Sequence, residues 1–214
     1  MSNIYTTTLT VLESGFAKDD WQDGKLSTRD DFGATPYSGT AIPTQGAEVQ
    51  TRPEWSVISG SPSASTGQVD FGAGNNTNQT IRSSFESNIT GRWWFDFEIG
   101  SDPSTNTFRL RFLNDSANGE YYTIDLNHDQ GLRTFYNDGS GANLIQQHES
   151  LNWGANRYTV EIRRDSNGNY EIYRDGTVKD TWTETFVPTS TDSVVFNNGY
   201  DASVNVYNYY HAPL

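Results

Sequence analysis

The sequence predicts an all-β protein, a single domain of antiparallel strands closed as a sandwich or a barrel. Three observations carry that prediction. The stretch Tyr158–Gly176 (YTVEIRRDSNGNYEIYRDG) alternates with period two on both limbs of a turn, with Tyr158, Val160 and Ile162 on one limb and Tyr170 and Ile172 on the other. Clusters of Asn, Asp, Ser and Gly separate similar runs at spacings of roughly 8–12 residues through most of the chain. No segment of credible length has helical periodicity, and no internal repeat is present.

In chain order, Thr6–Leu12 reads as a first strand ended by Glu13-Ser14-Gly15. From 17 to 53 the chain is rich in Gly, Pro, Thr and Asp with little periodicity. It is expected to be an irregular loop, an arm for assembly contacts, or a pair of short strands that periodicity does not reveal. Strands are then predicted at Trp55–Gly60, Gln68–Phe71, Thr80–Glu86, Arg92–Ile99, Thr107–Leu113, Tyr121–Leu126, Leu132–Tyr136, Asn143–His148, Tyr158–Arg163, Tyr170–Arg174, Thr177–Thr183, Ser193–Asn197 and Ser203–Tyr209. Asp165-Ser166-Asn167-Gly168 and Arg174-Asp175-Gly176 are turns, because Asn, Asp and Gly tolerate the positive φ of tight hairpins.

Composition bounds the chemistry. The chain of 214 residues is long enough for one substantial β domain spanning 1–214. Its apolar content is only 34%, but aromatics reach 14%, and each large ring fills on the order of 150–250 Å² of core. With no cysteine, disulfides and thiolate-ligated metals are excluded. The net charge is −13, and the only lysines are Lys18, Lys25 and Lys179. Such an acidic, lysine-poor surface suits a salt-adapted protein, since the Debye length falls to about 3 Å in molar salt. No basic cluster is available to neutralise phosphates, so nucleic acid is excluded as an expected partner. No apolar run approaches the roughly 18 residues of a membrane span, so no membrane insertion is expected. The start MSNIYTTTLTVLE lacks a basic then apolar leader, so no signal peptide is read there. An extracellular-looking fold without a leader suits a virion component, assembled in the cytoplasm and exposed after lysis. Removal of a natural leader before Met1 is the alternative.

The pattern from Trp93 to Tyr210 resembles the concanavalin A-like lectin/glucanase superfamily, including laminin-G-like jelly-roll modules. The carrying segments are WWFDFEI, TFRLRFL, YYTIDL, the Tyr158–Gly176 hairpin and the closing SVNVYNYY. Leu12-Glu13-Ser14-Gly15-Phe16 with Trp21 is similar to the acidic opening of many jelly-roll carbohydrate-binding modules. The resemblance implies two curved antiparallel sheets and sugar bound on a sheet face or loop rim. It also implies a structural Ca2+ shared between the first and last strands, at positions matched here by Glu13 and Asp201.

In Trp93–Ile99, alternation puts Trp93, Phe95, Phe97 and Ile99 in the core and Trp94, Asp96 and Glu98 on the opposite face. Two carboxylates on an open face invite a glycosidase reading. The glucanases of the resembled superfamily carry their nucleophile where this chain has Trp94, so no enzymatic activity is expected. Trp94 beside Asp96 and Glu98 suits a sugar patch instead, the ring stacking on a pyranose and the carboxylates accepting its hydroxyls. A Trp covered by another strand or subunit is the competing reading. Tyr121, Tyr173, Tyr207 and Tyr209 are further outward rings, of which Tyr121 and Tyr173 join the carbohydrate-binding candidates; strand faces also carry tyrosine without binding anything. His128, His148 and His211 have no zinc or triad spacing and read as solvated turn or strand-end residues.

These readings combine into an expected function: a non-enzymatic virion surface structural protein from a salt-adapted system, such as a virus of halophilic archaea. It would be a capsid turret, capsid decoration or tail fibre, homo-oligomeric, in contact with other virion proteins and with host cell-surface glycans. The alternatives are a secreted carbohydrate-binding module of a larger enzyme and a glucanase-like glycoside hydrolase.

Overall fold

The computed structural model describes residues 28–30, 41–42, 55–65, 68–73, 78–84, 89–104, 107–150 and 153–212. The predicted strand Thr6–Leu12, and Glu13 with it, lie outside the described residues. The described chain is all-β: β1 Thr28–Asp30, β2 Ala41–Ile42, β3 Trp55–Ser59, β4 Ser63–Ser65, β5 Gln68–Asp70, β6 Gln79–Ser84, β7 Gly91–Ile99, β8 Thr107–Asp115, β9 Glu120–Asn127, β10 Gly131–Asp138, β11 Ala142–Glu149, β12 Arg157–Arg164, β13 Asn169–Arg174, β14 Thr177–Thr183, β15 Ser193–Asn198 and β16 Val204–Ala212. Every strand predicted from Trp55 onward has its counterpart, and β4 is an addition. The short strands β1 and β2 fall inside the segment expected to be irregular.

The strands form two antiparallel sheets. Sheet A runs β14-β13-β12-β7-β16-β5-β4, with β1 also paired to β16; sheet B runs β11-β10-β9-β8-β15-β6-β3-β2. Sequence-distant neighbours such as β7 with β16 and β8 with β15 make this a jelly-roll sandwich rather than a meander. The two hairpins of β12-β13-β14 turn where expected. Asp175 (φ 50°) and Gly176 (φ 73°) are both left-handed, as a two-residue type I′ turn requires. Asp165 accepts hydrogen bonds from the Asn167 and Asn169 amides at 2.8 and 2.9 Å, so this loop is a carboxylate-capped hairpin.

Alternation delivers the core. Trp93, Phe95, Phe97 and Ile99 of β7 face Phe108, Leu110 and Phe112 of β8 and Phe196 of β15, all buried. The Phe97 and Phe108 ring centroids lie 5.4 Å apart, and Phe108 stacks on Phe196 at 6.1 Å. Wide rings thus compensate for the low apolar content.

One parity prediction fails for a local reason. Tyr207 and Tyr209 were both expected outside, but a β-bulge between Val206 and Asn208 inserts an extra residue in β16. Val204 and Val206 point inward, Tyr207 outward, and then Tyr209 inward again with no exposed surface. His211 follows the same phase and stacks on Trp93 at 5.2 Å. It is a core residue, not a solvated strand end.

The sandwich is laced at one edge. The β11 carboxylate Glu149 meets Arg174 at 3.0 Å and Lys179 at 3.3 Å, and His148 Nδ1 lies 3.0 Å from Asp180 of β14. The edge strands of the two sheets therefore bind each other, which removes one template for edge-to-edge association.

Candidate functional site

The residues proposed from sequence for sugar binding divide between opposite sides of the sandwich. Trp94, Asp96, Glu98 and Tyr173 share the outer face of sheet A, whereas Tyr121 lies on the outer face of sheet B.

On sheet A the expected platform is closed. Trp94 is 2% exposed, so it offers no ring face on which a pyranose could stack. Asp96 is ion-paired with Arg157, whose Nε donates to Oδ1 at 2.8 Å. Arg157 in turn lies 4.1 Å over the Tyr207 ring, and the Tyr207 hydroxyl donates to Glu98. Burial, reinforced by Glu98, pushes the Tyr207 phenol up to about 12. The same construction recurs two strands away. Arg163 donates to Glu161 at 2.6 Å and covers the Tyr173 ring at 4.2 Å, while the Tyr173 hydroxyl donates to Glu171 at 2.7 Å. The carboxylates proposed to receive sugar hydroxyls are thus already engaged by arginine and tyrosine.

Sheet B presents a different surface. Two neighbouring rungs cross it, about 7 Å apart along the strands. One reads Arg82, Val195, Arg111, Thr123, Phe135, Leu144 across β6, β15, β8, β9, β10 and β11. The other reads Thr80, Asn197, Arg109, Asp125, Arg133, Gln147 over the same strands. The registers are fixed by capped turns. Asp115 accepts from the Ala117 and Asn118 amides at 3.0 Å each, closing β8 onto β9; Asn127 does the same for Asp129 and Gln130, closing β9 onto β10. Hydrogen bonds from Asn118 hold the Asp115 carboxyl below its usual range, against an opposing desolvation.

Asp125 organises the second rung. It is only 1% exposed although it points away from the core, because Arg109 donates to Oδ1 at 2.8 Å and Arg133 engages Oδ2. Arg111 lies 4.3 Å over the Tyr121 ring and Arg133 4.9 Å over Phe135. Two shallow clefts open between these side chains. One of about 180 Å³ lies among Arg109, Arg111, Tyr121, Asp125, Arg133 and Phe135. The other, about 230 Å³, lies among Ile58, Arg82, Arg111, Ser116, Tyr121 and Val195. Arg111 and Tyr121 line both, so the clefts form one groove across the sheet. Each is smaller than the 300–1,000 Å³ pockets that engulf a ligand, so the shape suits contact along a surface rather than enclosure.

Of the sequence candidates only Tyr121 belongs to the groove. Arg109, Arg111, Asp125, Arg133 and Phe135 were missed. Their signal was present in TFRLRFL, YYTIDL and LRTFY, where these residues alternate with core residues.

Two other constellations bear on chemistry. Thr134 Oγ1 contacts His148 Nε2, and His148 Nδ1 lies 3.0 Å from Asp180, so hydroxyl, imidazole and carboxylate stand in the order of a hydrolase triad. Thr134, however, has no exposed surface, and a nucleophile that no substrate reaches performs no chemistry. Burial lowers the His148 pKa despite the opposing pull of Asp180. This corrects its assignment as a solvated residue. For the expected cation, the Asp201 carboxylate accepts from the Ser104 amide at 2.8 Å and from its hydroxyl. Among the described residues no cluster of three or more His, Asp or Glu side chains fits a metal ion. Glu13, the other expected ligand, lies outside the described residues.

The fold is a jelly-roll sandwich similar to those of lectins and carbohydrate-binding modules. The carbohydrate-binding module CBM66 from Bacillus subtilis is similar over 74% of this chain and 94% of its own, with a TM-score of 0.57 and 17% identity. The carbohydrate recognition domain of Emp47p is similar over 88% of this chain and 97% of its own, with a TM-score of 0.57 and 15% identity. That of Emp46p in a potassium-bound form covers 74% of this chain and 88% of its own, at a TM-score of 0.50 and 16% identity. At these identities the likeness establishes the fold. No protein-family model matches the sequence, and no curated protein matches it.

Proposed function

We propose that the protein binds carbohydrate without turning it over, and that the ligand lies in the groove across sheet B. The observation that carries this is the pair of clefts sharing Arg111 and Tyr121 on a sheet face whose donors are already held in place. Asp125 orients Arg109 and Arg133, and the rings beneath Arg111 and Arg133 hold Arg111 as a third and support Arg133 a second time, which lowers the ordering cost of binding. The fold shared with carbohydrate recognition domains supports the ligand class. The burial of Thr134 supports the absence of catalysis. A glycan array probed with the wild type, Tyr121→Ala and Phe135→Ala tests the site. Each variant is expected to lose at least ten-fold in signal while keeping its melting temperature. An array without any bound glycan for the folded wild type would end the proposal.

The setting we propose is a virion surface from a salt-adapted system, as a capsid turret, decoration or tail-fibre element displayed in homo-oligomeric form to host glycans. The net charge of −13 with three lysines supports it, since such a surface keeps its solubility where salt screens self-repulsion. The second reading, a module of a larger carbohydrate-active enzyme, is favoured by the likeness to CBM66. Neighbouring genes separate them: capsid, portal or tail genes support the first, and a catalytic domain fused or adjacent to this chain supports the second.

A further inference from the structure

We propose that the groove selects an anionic saccharide, a short glycan bearing a carboxylate or sulfate group, an inference that rests on the carbohydrate-binding reading above. Charge reverses locally on sheet B. The chain carries 27 acidic and 14 basic residues, yet the two rungs of sheet B hold Arg82, Arg109, Arg111 and Arg133 against the single carboxylate of Asp125. That carboxylate is committed to Arg109 and Arg133. Neither Arg82 nor Arg111 forms an ion pair with any carboxylate among the described residues, although carboxylates are abundant elsewhere on the surface. On sheet A, by contrast, Arg157 and Arg163 each have a carboxylate within 2.8 Å.

The geometry suits a ligand anion. Arg82 and Arg111 flank Val195 on one rung, two strand spacings or about 10 Å apart, so both border the same cleft. The Arg111 guanidinium sits 4.3 Å over the Tyr121 ring, and its fork of donors has no carboxylate partner among the described residues, so it can take two oxygens of a carboxylate or sulfate at once. Arg109 meets Asp125 through Nε, so that bond does not occupy its terminal nitrogens. Neutral sugars need acceptors as much as donors, and the groove sets four guanidinium groups against two carboxylates, Asp125 held by Arg109 and Arg133 and Asp115 held by the Ala117, Asn118 and Ser190 amides, so the groups it has to offer are mostly donors. Nucleic acid is the other anionic class, but an extended phosphate chain would run from this short patch onto a strongly acidic molecule.

The test is calorimetric titration of the full chain with matched probes: trigalacturonic acid against galactotriose, and a sulfated chondroitin tetrasaccharide against its desulfated form. The charged member of at least one pair is expected to bind at least ten-fold more tightly and to weaken as salt rises from 0.05 to 0.5 M, on the order of the Debye-length change from above 10 Å to a few Å. Arg82→Ala, at an exposed position that folding does not need, is expected to lose about five-fold, and Arg111→Ala ten-fold or more, with Arg111→Lys in between. Equal affinity for neutral and charged members, unaffected by Arg82→Ala, would overturn the anionic inference and leave carbohydrate binding standing. No binding of any probe, alongside an empty glycan array, would overturn both. Tighter binding of a single-stranded DNA oligonucleotide with the same arginine dependence would overturn it in favour of nucleic acid.

Discussion

The two outer faces of the sandwich are built from the same residue types and arrive at opposite states. Each lays arginine over an aromatic ring: Arg157 on Tyr207 and Arg163 on Tyr173 in sheet A, Arg111 on Tyr121 and Arg133 on Phe135 in sheet B. On sheet A, Asp96 and Glu98 surround the first pair, Glu161 and Glu171 the second, and the tyrosine hydroxyls complete both circuits. On sheet B one carboxylate serves two arginines, and two further arginines face the groove without one. The difference teaches that an aromatic beside carboxylates does not define a ligand surface. What matters is whether the polar groups are satisfied within the protein. A closed network contributes to folding and has nothing left to offer a ligand; an open one keeps binding capacity in reserve.

The largest expected effect comes from truncating the most deeply set residue of the sheet A face. Trp94→Ala removes a ring that is 2% exposed and is expected to cost about 3–5 kcal/mol of stability. For a chain of this size that is a fall of roughly 10 °C or more in melting temperature. Glycan affinity per folded molecule should not change. Calorimetric unfolding and a binding isotherm on the same preparation read both quantities. Lost binding with an undisturbed melting temperature would reverse the assignment of the two faces.

Trp94 also shows how far sequence carries. Alternation correctly placed Trp94, Asp96 and Glu98 together on the non-core side of β7, because period two is a local property of the strand. It could not show that this side of Trp94 is covered, since period two fixes the face a side chain points to and not what packs over it. Tyr209 failed for a smaller reason: one inserted residue at the β16 bulge inverts the phase of everything after it, and Asn and Tyr surround the bulge without a glycine to mark it. The groove was half legible. Arg109, Arg111, Asp125 and Arg133 each sat at outward positions of adjacent hairpins, but Arg82 and Val195 reach them only through the pairing of β15 with β8 and β6, which connects residues about eighty to a hundred and twenty positions apart in sequence and leaves no local trace.

Acid sharpens the comparison by loading one side of the molecule. His211 lies beneath sheet A, stacked on Trp93, and burial pushes its pKa down to about 3. His148, at the edge that joins the sheets, is lowered in the same direction, also chiefly by burial. A histidine depressed in the folded state resists a proton that the unfolded chain accepts below its ordinary pKa of about 6.5. Its contribution is therefore present above that pH and is lost as pH falls toward the folded value, by about 1.4 kcal/mol per pH unit for one histidine. The Asp165 and Asp192 carboxyls are lowered by the hydrogen bonds they accept, so their losses begin only below about pH 4. Chemical denaturation between pH 6.5 and 4.5 thus isolates the histidines. His211→Phe, which keeps a ring on Trp93, is expected to flatten the slope by up to that amount. An unchanged slope in the variant would show that His211 accepts its proton in the folded protein.

The smallest expected effect discriminates between local and global electrostatics. Glu171 and Arg163 on sheet A are 3.8 Å apart and partly exposed, at 47% and 31%, so Glu171→Gln should cost less than about 0.5 kcal/mol. The substitution makes the whole chain one unit less negative, and Arg111→Ala makes it one unit more negative. If an anion were held by net charge alone, the two changes would shift affinity by similar amounts in opposite directions. The faces are separated by the sheet-to-sheet distance of about 10 Å plus the length of two outward side chains, well beyond the Debye length of about 8 Å at physiological ionic strength. Glu171→Gln should therefore leave the affinity for a charged saccharide within two-fold at 0.15 M salt, while Arg111→Ala lowers it by ten-fold or more. A gain in the Glu171 variant comparable to the loss in the Arg111 variant would mean that the groove does not hold its anion through the guanidinium fork of Arg111, and that the contrast between the two faces is one of fold and not of function.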